Sequence, residues 1–358
     1  MSEFIKKKEA PKKIKTGPSL TGRLVGLIGL AAVVALIFGF HYVLEYSNKF
    51  SPPDTQSREV LVTIPQGASY PEIAHILKEN GLIKDEGAFL LAIRLKSKLK
   101  QPVGIKAGEQ ALDPSLNTWE TIKTLVKGNF KFYPFTIPEG RNLREIATTV
   151  QNAGLGSAKD FLALCYDKTF IQSLGIQADS LEGYLFPETY NFPKNTPLST
   201  IIKAMTTQFF KVWNKYNTLA AAKGLSQNEV LTMASIVEKE TGAAQERPLI
   251  AAVFFNRLDK KMRLQTDPTV IYGLPNFNGN LTRADLETPH PYNTYVIQGL
   301  PPGPIASPGE DSIKAVLNPA NTKYLYFVSK NDGTHHFSNT LAEHNKMVAQ
   351  YQKSGNKS

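Results

Sequence analysis

From Leu24 to Leu44 the chain reads LVGLIGLAAVVALIFGFHYVL, 21 residues without an Asp, Glu, Lys or Arg. At about 1.5 Å rise per residue such a helix crosses the ~30 Å hydrocarbon layer of a bilayer. A helix of a soluble core would carry a polar stripe, and this one has no strongly polar side chain before His41. A cleaved leader would have a shorter apolar run with a small-residue site behind it, whereas HYVLEYSNKF follows here. The pattern predicts an uncleaved membrane helix over 24–45, then a polar, proline-containing linker over 46–58.

Past the linker the periodic stretches are short, and two of them are copies. Thr63-Ile64-Pro65-Gln66-Gly67 returns 73 residues later as Thr136-Ile137-Pro138-Glu139-Gly140, and positions 63–82 share nine identities with 136–155. VLVTIP and FYPFTIP are rich in β-branched and aromatic residues and predict strands. Ser69 with Glu72, and Asn142 with Glu145, have the spacing of capping boxes, in which a side chain at each end of the first turn satisfies the other's free backbone N–H. Apolar residues at helical spacing follow, Ile73, Ile76 and Leu77 in one copy and Ile146 and Val150 in the other, before a glycine stop. Between the copies, GIKAGEQALDPSLNTWETIKTLVKGN predicts a strand, a turn and a helix capped by Asn117 and Glu120, with Trp119, Ile122, Leu125 and Val126 on its buried face. Residues 59–131 therefore read as a small α+β module of βαβα character. The second copy opens a larger mixed α+β domain over 132–350. Two such units suggest modules laid along a polymer, although a duplicated scaffold would look the same.

Within the larger domain, LSQNEVLTMASIVEKETG carries a capping box (Ser226, Glu229), a face of Val230, Met233, Ala234, Val237 and Thr241, and a stop at Gly242. Glu238 and Glu240 fall on the flanks of that face. A carboxyl wedged among aliphatic side chains loses hydration, which favours its protonated form and suits it to act as a general acid. Periodicity does not choose between the two glutamates.

Charge and composition narrow the setting. The chain has 358 residues and a net charge of +10 with a mean hydropathy of -0.23, which suggests about two domains and excludes a polytopic membrane protein. Residues 1–23 hold seven Lys or Arg against two Glu, so half of the excess lies in one short tail. Basic residues stay on the cytoplasmic side, which predicts a cytoplasmic 1–23, a single pass through the cytoplasmic membrane and an extracytoplasmic body. The remainder is only mildly basic, and nucleic acid drops out as a partner. Cys165, the sole cysteine, excludes an internal disulfide and a cysteine metal cluster. His335, His336 and His344 lack a carboxylate at zinc-like spacing, so no metal is expected. No phosphate-binding glycine loop and no nucleophile elbow occurs, so no cofactor is expected. A short polar tail, 351–358, closes the chain.

Five runs are long and unusual: LEGYLFPETY (181–190), ASIVEKET (234–241), RLQTDPTVIYG (263–273), LTRADLETPHPYNTY (281–295) and GLPPGPIASPG (299–309). Together with NPANTKYLYFV (318–328) they closely resemble the endolytic murein transglycosylase family, the YceG-like proteins. The resemblance implies a single membrane helix, a LysM-like module and a catalytic domain that cuts peptidoglycan glycan strands as a lyase. It implies Glu240, followed by Thr241, as the acid and then the base, with the substrate's N-acetyl group stabilising the cation and the C6 hydroxyl closing a 1,6-anhydro ring. No second carboxylate is then needed, unlike in two-carboxylate glycosidases. Tyr184, Glu188, Thr241, Gln265, Thr266, Asp267, Tyr292, Asn293, Thr294 and Tyr295 are the expected substrate contacts, and GLPPGPIASPG would wall the groove. Loop-fixing hydrogen bonds are the plainer role for each. Two other readings stay open: a muramidase that activates water with a carboxylate such as Asp267, and a non-catalytic peptidoglycan-binding scaffold. Peptidoglycan synthases are the expected protein partners.

Overall fold

The structure, a computed structural model, describes residues 20–101, 103–275 and 277–352, with the backbone alone for Leu20–Arg23. Most of the basic tail expected at 1–23, and residues 353–358 of the expected closing tail, lie outside the described residues. The chain divides into two compact units between Lys131 and Phe132.

The first unit begins with α1 (Leu20–Asn48). From Leu24 onward this helix buries none of its apolar side chains in protein, and it is long and apolar enough to be a membrane span or a signal sequence. The module follows as β1 (Val60–Ile64), α2 (Tyr70–Glu79), α3 (Glu86–Lys98), β2 (Gly108–Leu112) and α4 (Thr118–Lys127). β1 and β2 pair antiparallel, Val62 opposite Gln110. The order is thus βααβα, and the expected βαβα character omits α3. That helix has its own signals: Asp85 accepts the N–H of Ala88 as a cap, and Ala88, Phe89, Ala92 and Ile93 make its buried stripe. Trp119 also differs from expectation. The buried stripe of α4 is Thr118, Thr121, Ile122 and Leu125, so Trp119 is exposed and stacks on Phe50 at 5.9 Å.

The second unit opens with the repeat's second copy, β3 (Tyr133–Thr136) and α5 (Leu143–Asn152). Both copies are strand–turn–helix units with complete capping boxes, and their turns pass through Gly67 and Gly140 at φ 76° and 74°, a region that glycine enters without strain. Next come α6 (Ala158–Cys165), α7 (Lys168–Ser173), β4 (Thr189–Phe192), α8 (Leu198–Trp213) and α9 (Asn217–Ala222). β4 pairs antiparallel with β3. Cys165 is buried, and loss of hydration pushes its thiol pKa up.

The remaining elements follow α10 (Gln227–Glu240). They are a short 3-10 turn (Ala244–Glu246), α11 (Arg247–Asp259), α12 (Asp267–Gly273), α13 (Arg283–Glu287), α14 (Glu310–Leu317), the antiparallel pair β5 (Tyr326–Ser329) and β6 (His335–Ser338), and α15 (Leu341–Tyr351). Every residue from Val230 to Val237 is buried. Instead of presenting one apolar face, α10 is enclosed on all sides, as a central core helix is.

GLPPGPIASPG (299–309) has no regular structure, but it is a buried strap rather than a groove wall. The N–H of Ile305 donates to Ser235 Oγ on α10 at 3.0 Å, and Gly140 and Ser307 exchange a backbone bond at 2.9 Å. Gly183 stands against this strap at φ 82°, where a Cβ would come within 2.6 Å of Pro304. Gly183→Ala combines a left-handed backbone with overpacking against a rigid ring, and should cost about 2–4 kcal/mol. Denaturant unfolding of the purified variant checks this, and a change below about 1 kcal/mol would contradict the tight approach.

Candidate active site

Glu240 is the last residue of α10, where the helix ends and the chain turns extended at Thr241. Its carboxyl opens on a cleft of about 480 Å³ whose lining includes Arg257, Gln265, Thr266, Asp267, Tyr295, Tyr326, His335 and His344. Loss of hydration pushes the Glu240 pKa up to about 7, and the nearby Asp267 charge adds to this. A hydrogen bond from Thr266 Oγ1 and the positive charge of Arg257 act in the opposite direction. The carboxyl is therefore shared between its protonated and ionised forms near pH 7, and groups that stabilise its anion stand within reach.

The Thr266 hydroxyl is aimed by its neighbours. Thr266 is the N-cap of α12 but does not cap it, because its hydroxyl is turned to Glu240. Three buried threonines hold the turn: the N–H of Thr266 donates to Thr294 Oγ1 at 3.0 Å, and Thr269 Oγ1 donates to the carbonyl of Thr266 at 2.8 Å. Gln265 sits at φ 47°, the strained residue that lets the chain double back into the helix. Asp267 accepts a hydrogen bond from the Tyr295 hydroxyl at 2.6 Å.

Arg257 reaches the cleft from α11. Its Nε donates to the carbonyl of Leu325 and Nη1 to that of Leu264, each at 2.7 Å, and its guanidinium lies 5.2 Å from the Tyr326 ring centre. With its geometry held this way, Arg257 supplies a buried positive charge without an ion pair to Glu240. Glu238, two residues earlier, is in a different position. Its side chain is only 6% exposed and accepts from Arg247 at 3.1 Å, from the N–H of Gly309 at 3.0 Å and from Ser312 Oγ at 2.7 Å. All of its capacity is used in joining α10, α11 and α14.

The YceG-like family model matches residues 62–350. The chain belongs to the YceG-like family. It is 39% identical over 313 residues to a Bacillus subtilis (strain 168) protein named endolytic murein transglycosylase, a match covering 83% of this chain and 86% of that one. A protein of the same name from Streptococcus pneumoniae serotype 2 (strain D39 / NCTC 7466) is 34% identical over 347 residues, covering 88% of this chain and 62% of its own length. A crystal structure of a YceG-like protein from Listeria monocytogenes aligns at a TM-score of 0.57 and 35% identity, over 82% of this chain and all of that one. The family expected from the five motif runs is the family found.

In this YceG-like unit the expected site residues part into two groups. Glu240, Gln265, Thr266, Asp267 and Tyr295 share the cleft. The other six do not line it. Tyr184 is in the core, edge-on to Phe209 at 5.2 Å, and Glu188 is exposed elsewhere, binding the N–H of Thr189. Thr241 is buried, accepts from the N–H of Ala243 and donates to Glu246. Tyr292 packs on Tyr272 at 4.8 Å. Asn293 is 1% exposed and donates to the carbonyls of Asp285, Leu286 and Thr288, while Thr294 is fully buried in the threonine cluster. The polar groups of Thr241, Asn293 and Thr294 are consumed by neighbouring backbone and side chains, which is the plainer role. The aliphatic wedge expected around Glu240 is replaced by a polar enclosure.

Arg257, Glu246, Tyr326 and His335 were not anticipated as site residues. Glu246 holds the Nδ1 of His335 at 2.7 Å. Among the described residues no three His, Cys, Asp or Glu side chains stand together as metal ligands would. The buried carboxyl of the LEGYLF run is Glu182, which accepts from the N–H of Leu143 and from Tyr272, and which burial pushes up to about 7.

The two helix-end glutamates should respond oppositely to substitution. Glu238→Ala removes the nearest carboxylate from the buried Arg247, which keeps only Glu139 and Asp311 at 3.7 and 3.9 Å, and should cost about 3 kcal/mol. Glu240 has a folded-state pKa above its unfolded value, so its carboxyl favours the native state below about pH 4.5 and loses that advantage as pH rises toward 7. Glu240→Gln should therefore unfold at a higher temperature than the parent at pH 8, and the gap should close near pH 4. Melting curves at the two pH values check both variants.

Proposed function

We propose that this chain is a peptidoglycan lytic transglycosylase, cutting the β-1,4 bond between N-acetylmuramic acid and N-acetylglucosamine inside glycan strands and leaving 1,6-anhydro ends. The observation that carries the reading is the raised carboxyl of Glu240, bonded by Thr266 at the head of a cleft. Membership in a family whose relatives are named endolytic murein transglycosylase supports it.

In this scheme Glu240 donates its proton to the glycosidic oxygen as the C1–O bond breaks. The neighbouring acetamido oxygen bonds C1 and shares the positive charge. The C6 hydroxyl oxygen then attacks C1, the acetamido oxygen leaves, and the hydroxyl proton returns to Glu240. No water is consumed and the acid is regenerated. Arg257 and the Thr266 hydroxyl stabilise the Glu240 anion between the two proton transfers, when its charge is unavoidable.

Glu240→Gln should release no anhydro-muropeptides from purified sacculi while still binding them, as read by mass spectrometry of the soluble products. Full activity in this variant would sink the assignment. Because the acid must be protonated, turnover should fall as pH rises through about 7, and Asp267→Asn, which removes the neighbouring like charge, should move that fall to lower pH. Asp267 stands in the same cleft, so a muramidase using it to activate water is the second reading. Reducing ends rather than anhydro ends in the digest would establish that one. A null result on sacculi with folded protein would favour a binding scaffold.

We read α1 as an uncleaved anchor with the basic tail inside, which sets the cleft where new strands emerge and suits the enzyme to trimming or terminating them beside peptidoglycan synthases. Protease added to spheroplasts should digest residues beyond α1, and protection of that body would reverse the orientation. We read residues 59–131 as a LysM-like module. Glycan oligomers should then perturb its amide resonances, and perturbation confined to 132–350 would make it scaffold alone.

A further inference from the structure

A buried histidine–carboxylate pair, of which His335 lines the cleft and Glu246 stands behind it, has no part in the scheme above. His335, on β6, is 12% exposed at its side chain and Glu246 9%. One oxygen of Glu246 accepts the backbone N–H of His335 at 2.9 Å, and the other meets its ring Nδ1 at 2.7 Å. The ring stands edge-on to Phe327 at 5.4 Å, which fixes its plane. Because a carboxylate accepts only, Nδ1 carries the proton, which leaves Nε2 as the ring's acceptor position beside the cleft that His335 lines. Thr241, the residue after Glu240, donates to the same carboxylate at 3.5 Å, so the pair is tied to the end of α10.

Resting on the transglycosylase reading, that chemistry requires a group which neither Glu240 nor Thr266 supplies. As the acetamido oxygen bonds C1, positive charge spreads onto the acetamido nitrogen and its N–H becomes a far stronger donor. An acceptor there gains strength only as the bond breaks, which is how a binding contact becomes catalysis. We propose that His335 Nε2 accepts the acetamido N–H of the N-acetylmuramic acid residue, with Glu246 as the positioning residue that holds the ring in its acceptor tautomer. No proton is transferred to His335. The oxazolinium forms with its N–H bonded to Nε2, and the C6 hydroxyl displaces the carbonyl oxygen to restore the acetamide.

The test compares His335→Gln, Glu246→Gln and Glu240→Gln in the full chain. Turnover on glycan strands is measured beside affinity for the thiazoline analogue of N-acetylmuramic acid, whose fused ring, once protonated at nitrogen, copies the oxazolinium and its N–H. A glutamine at 246 has one acceptor where the pair needs two, and its amide turned toward Nδ1 forces the ring proton onto Nε2. Both His335→Gln and Glu246→Gln should lose about 10²-fold in kcat with KM little changed. Their affinity for the thiazoline should fall by the same factor, while binding of uncut strands persists. Loss of kcat with unchanged thiazoline affinity, or parent-like kcat in both variants, overturns the proposal. Equal loss of thiazoline and strand binding also overturns it, since that marks a collapsed site. If His335→Gln fails to fold, Glu246→Gln, which keeps the ring and its packing, decides. Anhydro products from Glu240→Gln would instead refute the acid assignment, a failure read on a different variant.

Discussion

Removing a carboxyl from water destabilises its charged form, and the catalytic unit of this YceG-like protein answers that penalty in two ways within three residues. Glu238 is compensated in full by Arg247, a backbone N–H and a serine hydroxyl, and so becomes a rivet between helices. Glu240 receives one hydroxyl and one cation, Arg257, that influences it without pairing to it, and so remains a carboxyl that can both hold and release its proton near pH 7. Full compensation would make it an inert ion pair, and no compensation would prevent it from giving the proton away. The proposed acid chemistry depends on this intermediate state.

Keeping that balance requires the end of α10 to be immobile. The helix is enclosed from Val230 to Val237, strapped by Ile305 on Ser235, and riveted by Glu238 at its last turn. The opposing wall is held as firmly by different means. Thr266, Thr269 and Thr294 satisfy one another and the backbone of an irregular loop, so the hydroxyl that meets Glu240 is placed by buried bonds on every side. Residues that look like substrate contacts by chemical type, Asn293 and Thr294 above all, are the fabric of that wall. A buried loop must find partners for its own N–H and C=O groups, and polar side chains of this kind are the nearest source.

Much of the scaffold was legible along the chain. The capping boxes at Ser69, Asn117, Asn142 and Ser226 are present because each needs only residues three apart to meet. The repeat announced two equivalent strand–turn–helix units for the same local reason. The missed α3 and the misjudged Trp119 are failures of emphasis, since the cap at Asp85 and the 118–121–122–125 stripe were there to be read. The site was only half legible. Glu240, Gln265, Thr266, Asp267 and Tyr295 come from two motif runs and one helix end that resemblance brought to notice, and they share one cleft. Arg257, Glu246 and His335 stand 17, 6 and 95 positions beyond Glu240 in runs without a distinctive pattern.

What depends on neighbours along the chain can be read from the residues alone: the apolar α1, the caps, the repeat and the family to which the chain belongs. Each follows from hydrophobic spacing or from contacts within a turn. Packing in three dimensions supplied the rest: what makes Glu238 a rivet while Glu240 opens on the cleft, that α10 is buried from Val230 to Val237, and that His335 is tied to Glu246. A carboxyl's pKa and a histidine's tautomer are set by what excludes water and what donates or accepts at a few ångströms. Those neighbours arrive from α11, α12 and β6, elements that no local pattern brings together.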